Sequence, residues 1–412
     1  VRLPGSKSMT NRALVLGALT AGRSVLRRPL RSDDTTTMVG ALRSIGATVD
    51  TTDDLAWSVE GGQFSDSAGD VAVGAAGTVL RFTPPVAAHA TAPIRFDGSE
   101  AIRRRPVTPL LTALRELGVR IDASPDDGLP FVVHGTGGAP GGRVTLDASS
   151  SSQLVSALLL AGATYTRGID VAHVGSRAVP NAPHLAMTVE MLRARGVSVD
   201  VSPERWVVEP ATLRAVDELI EPDLSSAAPF LAAAVVTAGA VTVPDWPARS
   251  TQPGALLPDL LERFGATATM DDDGLTVRGT GTIRGVDLDL RDAGELTPVL
   301  AALAALADSP SRLRGIDYLR GHETDRLAAL ARELGELGAE VQELDDGLEI
   351  RPRPLRGAVF STYDDHRMAM AAAVVGLAVD HVRIENIETT AKTLPEFAEL
   401  WAGAVRGAGA TP

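Results

Sequence analysis

A chain of 412 residues is longer than one ordinary hydrophobic core sustains and suits two domains of about 200 residues each. Its 44% hydrophobic content is enough to fill both cores. A formal net charge of −13 argues against a nucleic-acid or anionic-membrane partner, because a phosphate backbone is bound mainly by a basic surface, and the absence of cysteine excludes disulfides, thiolate metal sites and thiol nucleophiles.

The chain opens with Lys7 and Arg12 leading into the apolar stretch 13–22, which superficially resembles a signal peptide. A repeat explains it better. Six times a polar, capping-type segment precedes an Ala/Leu/Val-rich stretch of helical length. The openings are Gly5-Ser-Lys-Ser8, Ala75-Ala-Gly-Thr78, Ser149-Ser-Ser-Ser-Gln153, Asp223-Leu-Ser-Ser226, Asp292-Ala-Gly-Glu295 and Tyr363-Asp-Asp-His-Arg367. Measured at Lys7, Gly77, Ser151, Ser225, Asp292 and His366, the intervals are 70, 74, 74, 67 and 74 residues.

Between the openings an amphipathic stretch repeatedly ends at glycine before a β-type segment, at Gly46, Gly118, Gly196, Gly265 and Gly338. Glycine fits a helix C-cap because it adopts the left-handed conformation without a Cβ penalty. Acidic turns such as 126–128, 271–274 and 345–347 then predict a second short strand. The sixth copy is cut short. Six units divide most simply into two domains of three, residues 5–221 and 222–412, with 1–4 joining the second. A solenoid is the competing architecture, but a stacked array has no need of chemically different openings. No apolar run reaches the roughly 18 residues of a membrane span, so the expected compartment is the cytoplasm.

Lys7 and Lys392 are the only lysines, against 37 arginines. Either they are chance survivors of a drift toward arginine, or a compact ammonium is needed at those two places, which a guanidinium cannot replace. The helix openings offer a use for one. Free N–H groups and the positive end of the macrodipole make converging helix N-termini an anion site. In Gly5-Ser-Lys-Ser8 the first glycine required of a nucleotide-binding P-loop would fall before residue 1, and a P-loop is discounted. Ser151 and Ser152 suit either a phosphate monoester or ordinary N-capping. The groups 365–367 and 322–326 combine acids with arginine and fit either an anion clamp or surface ion pairs. The seven histidines show no H-E-x-x-H metal spacing.

Over nearly its whole length the sequence resembles the EPSP synthase family of enolpyruvyl transferases. The resemblance is carried by Leu3-Pro-Gly-Ser-Lys-Ser-Met-Thr-Asn-Arg12, Ala76-Gly-Thr78 with Arg81, Arg105-Pro106 and Ser151-Ser-Gln153. It continues through His322-Glu-Thr-Asp-Arg326, Asp364-Asp-His-Arg-Met-Ala-Met370 and Lys392-Thr393. It implies an α/β fold of two similar domains, each of three βαβαββ units in an inside-out α/β barrel, with the active site in the interdomain cleft. It also implies transfer of the enolpyruvyl group of phosphoenolpyruvate to the 5-hydroxyl of shikimate 3-phosphate in aromatic amino-acid synthesis, without metal or organic cofactor. A monomer is expected.

Carried over by position, Lys7, Ser8 and Arg12 would hold the carboxylate and hydroxyl side of shikimate 3-phosphate, and Ser151, Ser152 and Ser176 its phosphate. Gln153 would lie between the two ligands. Lys7, Gly77, Arg105, Arg326, Arg367 and Lys392 would surround phosphoenolpyruvate. Gly77 either lets that ligand approach the backbone, leaving room for the inhibitor glyphosate as well, or serves helix packing alone. Asp292 resembles the carboxylate that receives the hydroxyl proton. Glu323 and Lys392 are candidates for proton exchange at the methylene carbon and for protonating the departing phosphate, as groups that would titrate together.

Several positions depart from the family pattern: Ala75 for Asn, Phe82 for Pro, Tyr318 for Asn, and His322 for Lys. A neutral imidazole at His322 would weaken a phosphate contact as pH rises. Enolpyruvyl transfer to UDP-N-acetylglucosamine is the nearest alternative, but such enzymes typically carry a loop cysteine. A catalytically silent scaffold would be expected to lose Lys7, Asp292, Glu323, Arg367 and Lys392 first, yet all are present.

Overall fold

The computed structural model describes residues 1–408 and divides into two compact units, Gly5–Ile220 and Val1–Pro4 together with Glu221 onward. The short N-terminal stretch joins the second unit through the Val1 ammonium on the Thr242 carbonyl (2.6 Å) and the Asp223 N–H on the Pro4 carbonyl (2.9 Å). Glu221, counted with the first half by sequence, is tied to the second by Ser250 (2.5 Å) and Gln252 (2.8 Å).

Each unit is built on the βαβαββ plan. In the first, three four-stranded sheets share one layout: two parallel strands, then a hairpin whose distal strand pairs antiparallel with the second. Gly69–Ala72 lies parallel to Pro93–Asp97, which pairs with Phe131–His134 and so with Arg120–Ala123. Gly142–Leu146, Ile169–His173, Arg205–Val208 and Val199–Ser202 repeat that order. In the first repeat the leading position beside Gly22–Arg27 is taken by Asp217–Leu219, from the far end of the unit. The second unit varies more. One sheet has three described strands, one has four, and the last, in the shortened sixth repeat, is the parallel pair Val359–Phe360 and Arg383–Ile384.

Two kinds of helix follow from two kinds of sequence. The openings lead into Lys7–Leu19, Gly77–Ala87, Ser152–Gly162, Ala228–Thr237, Thr297–Ala305 and His366–Val375, apolar almost all round and largely buried. A helix apolar on every side has to sit inside a core, with its polar N-terminal turn as the part left for chemistry. The second helices, such as Asp33–Ile45 and Arg326–Leu337, are one-sided. All five predicted cap glycines have positive φ, from 84° at Gly196 to 116° at Gly46 and Gly338. Two openings are offset from the sequence reading. Ser225 and Asp292 lie in turns, and the helices start at Ala228 and Thr297, where Pro229 and Pro298 occupy first-turn positions that need no amide donor.

Candidate active site

In the first unit three helix openings meet through side chains. The Asn11 amide donates to Thr78 (2.8 Å), and Arg81 donates to the Gln153 side-chain oxygen (2.7 Å) and the Pro106 carbonyl (3.3 Å). One buried guanidinium thus joins three of the motifs quoted above. Ser6 caps the first helix, placing Lys7 at its first position with Nζ 3.3 Å from the Asp34 carboxylate. Ser8 lies 3.4 Å from His184.

Arg12 is buried one turn further in. It donates to Thr188 (2.8 Å), Ser156 (3.3 Å) and the carbonyls of Ser8 (3.0 Å) and His184 (3.3 Å), and its guanidinium lies 5.1 Å from the Phe82 ring centre. Phe82, a departure from the family pattern, therefore packs against Arg12, while Ala75 is an exposed residue just before the helix Gly77–Ala87. Gly77 and Arg105 are adjacent: a Cβ on Gly77 would stand 2.8 Å from an Arg105 terminal nitrogen.

Ser151 caps the third helix by accepting the Gln153 N–H (3.2 Å), with Ser152 buried behind it. Ser176 lies in an exposed stretch pinned on both sides. The Arg177 carbonyl accepts from Ser149 (3.1 Å) and from the His173 ring (2.7 Å), and the Ala148 N–H donates to the other His173 nitrogen (3.1 Å). The backbone contacts fix the tautomer: Nδ1 accepts and Nε2–H donates. No motif of the sequence points to His173.

In the second unit the chemistry is ionic. Asp365 caps the helix His366–Val375 by accepting the Arg367 N–H (2.9 Å) and takes two bonds from Arg326, at 2.7 and 3.1 Å. Arg326 also reaches Glu323 (3.0 Å), and the other Glu323 oxygen lies 3.1 Å from Lys392 Nζ. Burial pulls the Arg326 guanidinium down, but Asp365 and Glu323, with Glu295 behind them, reverse this and leave it raised above its ordinary value. Lys392 ends the short 3-10 helix Ile387–Lys392.

Arg367 donates to the Ser225 carbonyl (2.9 Å) and stands 3.8 Å from Glu295. His322 Nδ1 faces Arg326 at 3.4 Å, and its ring leans on Tyr318 with centroids 5.7 Å apart. Tyr318 is buried and donates to the Arg291 carbonyl (3.2 Å). A Cβ on Gly294 would collide with that hydroxyl, so the unusual tyrosine depends on this glycine. Asp292 sits half-buried in the same turn.

The family model for EPSP synthase (3-phosphoshikimate 1-carboxyvinyltransferase) matches residues 1–401. A 3-phosphoshikimate 1-carboxyvinyltransferase of Mycobacterium ulcerans (strain Agy99) is 53% identical, over 99% of this chain and 95% of its own length. The chain belongs to the EPSP synthase family. The backbone agrees. An EPSP synthase of Acinetobacter baumannii superposes with a TM-score of 0.79 at 23% identity, covering 98% of this chain and 95% of that one. The enolpyruvyl transferase NikO of Streptomyces tendae gives 0.76 at 20% identity, covering 100% and 94%. An EPSP synthase fold thus carries both groups of polar side chains, some at the six repeat openings and others, Arg105, Glu323, Arg326 and Lys392, outside them.

Several partners of the named residues are not legible in the sequence, among them His184 beside Ser8, and Thr188 and Ser156 on Arg12. Asp34 follows Ser32 and Asp33 and reads as an ordinary acidic first turn. Arg81 stands within a quoted motif with no evident task, and Glu295 reads only as part of an opening.

Proposed function

We propose that the chain performs its family's reaction with polar side chains at and beside its helix openings. The reaction transfers the enolpyruvyl group of phosphoenolpyruvate to the 5-hydroxyl of shikimate 3-phosphate and releases phosphate. The observation that carries the assignment of roles is the Glu323 carboxylate, held between Arg326 at 3.0 Å and Lys392 at 3.1 Å. A carboxylate and an ammonium in contact can hand one proton back and forth beside fixed positive charge, which addition and elimination across an enol double bond require.

In this reading the methylene carbon of phosphoenolpyruvate is protonated by the Glu323 and Lys392 pair. The 5-hydroxyl then attacks the adjacent carbon while Asp292 takes its proton, giving a tetrahedral intermediate. Loss of a methyl proton to the same pair and departure of phosphate restore the double bond. Arg105, Arg326, Arg367, Lys7 and Lys392 hold phosphoenolpyruvate, with Gly77 beside it. Lys7, Ser8, Arg12 and His322 serve shikimate 3-phosphate, whose phosphate is held by Ser151, Ser152 and Ser176, and Gln153 touches both ligands. The first unit, 5–221 by sequence, chiefly binds shikimate 3-phosphate. We read the enzyme as a monomer of the cytoplasm; its net charge of −13 speaks against an anionic membrane surface, and among the described residues no helix is long and apolar enough to cross a membrane.

The test is phosphate release on mixing the protein with phosphoenolpyruvate and shikimate 3-phosphate, with UDP-N-acetylglucosamine as the comparison acceptor. Turnover with shikimate 3-phosphate alone is expected. Turnover with the nucleotide sugar alone would overturn the assignment.

A further inference from the structure

Glu295 has no part in the scheme above, yet it lies at the meeting point of three helix openings. The Ser225 hydroxyl, in the turn before Ala228–Thr237, donates to Oε1 of Glu295. The carbonyl of the same serine accepts from Arg367 at 2.9 Å, and Oε2 of Glu295 stands 3.8 Å from the other terminal nitrogen of Arg367. Serine and carboxylate therefore hold one guanidinium from two directions. The Glu295 side chain is only 19% exposed, so its charge is weakly screened.

Its effect reaches beyond Arg367, since Glu295 also helps to hold the Arg326 guanidinium in its charged form. Around this point the cations Arg326, Arg367 and Lys392 face the carboxylates Glu323, Asp365 and Glu295, and the six charges cancel. Without Glu295 the cluster would carry a net positive charge. A surplus positive charge tightens binding of every anion, including the phosphate that must leave after each turnover.

We propose that Glu295 is a positioning and charge-setting residue for the anion site: it aims Arg367 and keeps the cluster neutral, so that phosphoenolpyruvate binds and phosphate departs. This rests on the assignment of Arg367 to phosphoenolpyruvate. Three variants separate the parts. Glu295→Gln keeps an oxygen for the Ser225 hydroxyl and removes the charge. It is expected to lower both the KM for phosphoenolpyruvate and the inhibition constant of inorganic phosphate by about three- to tenfold, with kcat reduced. Glu295→Ala releases Arg367 as well and is expected to raise that KM, while Glu295→Asp restores part of the loss.

Constants within twofold of the parent in Glu295→Gln, or both raised, would overturn the charge-setting role. Arg367→Gln is measured in the same assay. An unchanged KM there would sink the assignment of Arg367 itself. A raised KM there beside an indifferent Glu295→Gln would sink only the inference about Glu295.

Discussion

The two units share one repeat and hold their buried arginines differently. In the first, Arg12 is buried among hydroxyls and carbonyls, from Thr188, Ser156, Ser8 and His184. In the second, Arg326 is equally buried and is held by two carboxylates, Asp365 and Glu323. Neutral donors and acceptors suit a ligand recognised by shape and hydroxyl pattern. Paired charges suit a site where protons move and charge develops, because fixed opposite charges stabilise such states without reorganising. In the proposed scheme the same backbone repeat therefore serves recognition in one unit and chemistry in the other.

The lysines test this division most severely. Lys7 and Lys392 belong to different units, yet each contacts a carboxylate, Asp34 at 3.3 Å and Glu323 at 3.1 Å. Lys392→Arg keeps the charge but replaces a group whose pKa can move with one that stays protonated, so kcat should fall about a thousandfold with the fold intact. Lys7→Arg should also lose most of the rate, with a larger share in KM. Near-parent kinetics for Lys392→Arg would remove the proton-handling role from the second unit.

Stability is the next measure. Asp365→Asn withdraws one of the carboxylates from the buried Arg326 and should cost about 3 kcal/mol, read as a lowered unfolding midpoint in urea. A loss below about 1 kcal/mol would mean that Glu323 alone satisfies the guanidinium.

Much of this was legible beforehand because repeats leave a periodic trace. The intervals near 70 residues, the five cap glycines and the apolar runs each follow from a local rule, and local rules survive in a single sequence. The motifs likewise exposed Lys7, Glu323, Arg326 and Lys392. What stayed hidden were pairings set by tertiary contact: Asp34 with Lys7, Arg81 with Gln153, and His173 with Ala148 and Arg177. Nothing at His173 distinguishes it from a surface histidine until its strand is placed beside the third opening. The true helix starts at Ala228 and Thr297 were displaced by prolines whose preference for the first turn competes with the polar residues before them.

His89 extends the contrast, as a buried titratable group of the first unit with a neutral partner. It is mostly buried, with its ring 2.8 Å from Thr164 and stacked on Phe64, and burial pushes it down to about 4. The unfolded chain takes up this proton more readily, so stability is complete above the ordinary value of 6.5 and is lost as pH falls toward 4. The loss should approach about 2 to 3 kcal/mol. His89→Gln should flatten that part of the stability profile, and an unchanged slope would place the acid sensitivity elsewhere.

A smaller effect is expected at Gly77. Its missing Cβ makes room for Arg105, which would otherwise be met at 2.8 Å. Gly77→Ala should displace the guanidinium and raise the KM for phosphoenolpyruvate about tenfold with kcat much less affected. An unchanged KM would mean that Arg105 moves aside without consequence for the ligand.

The smallest effect brings the comparison back to its two arginines. Ser156→Ala removes one hydroxyl from Arg12, whose contacts to Thr188 and two carbonyls remain, and the lost partner is neutral. A neutral hydrogen bond contributes about 1 kcal/mol, so the cost should be roughly a third of that for Asp365→Asn. The ratio carries the argument. Equal losses at the two sites would mean that Arg12 depends on its surroundings as heavily as Arg326 does, and that the division into a recognising unit and a reacting unit does not lie in how each buries its charge.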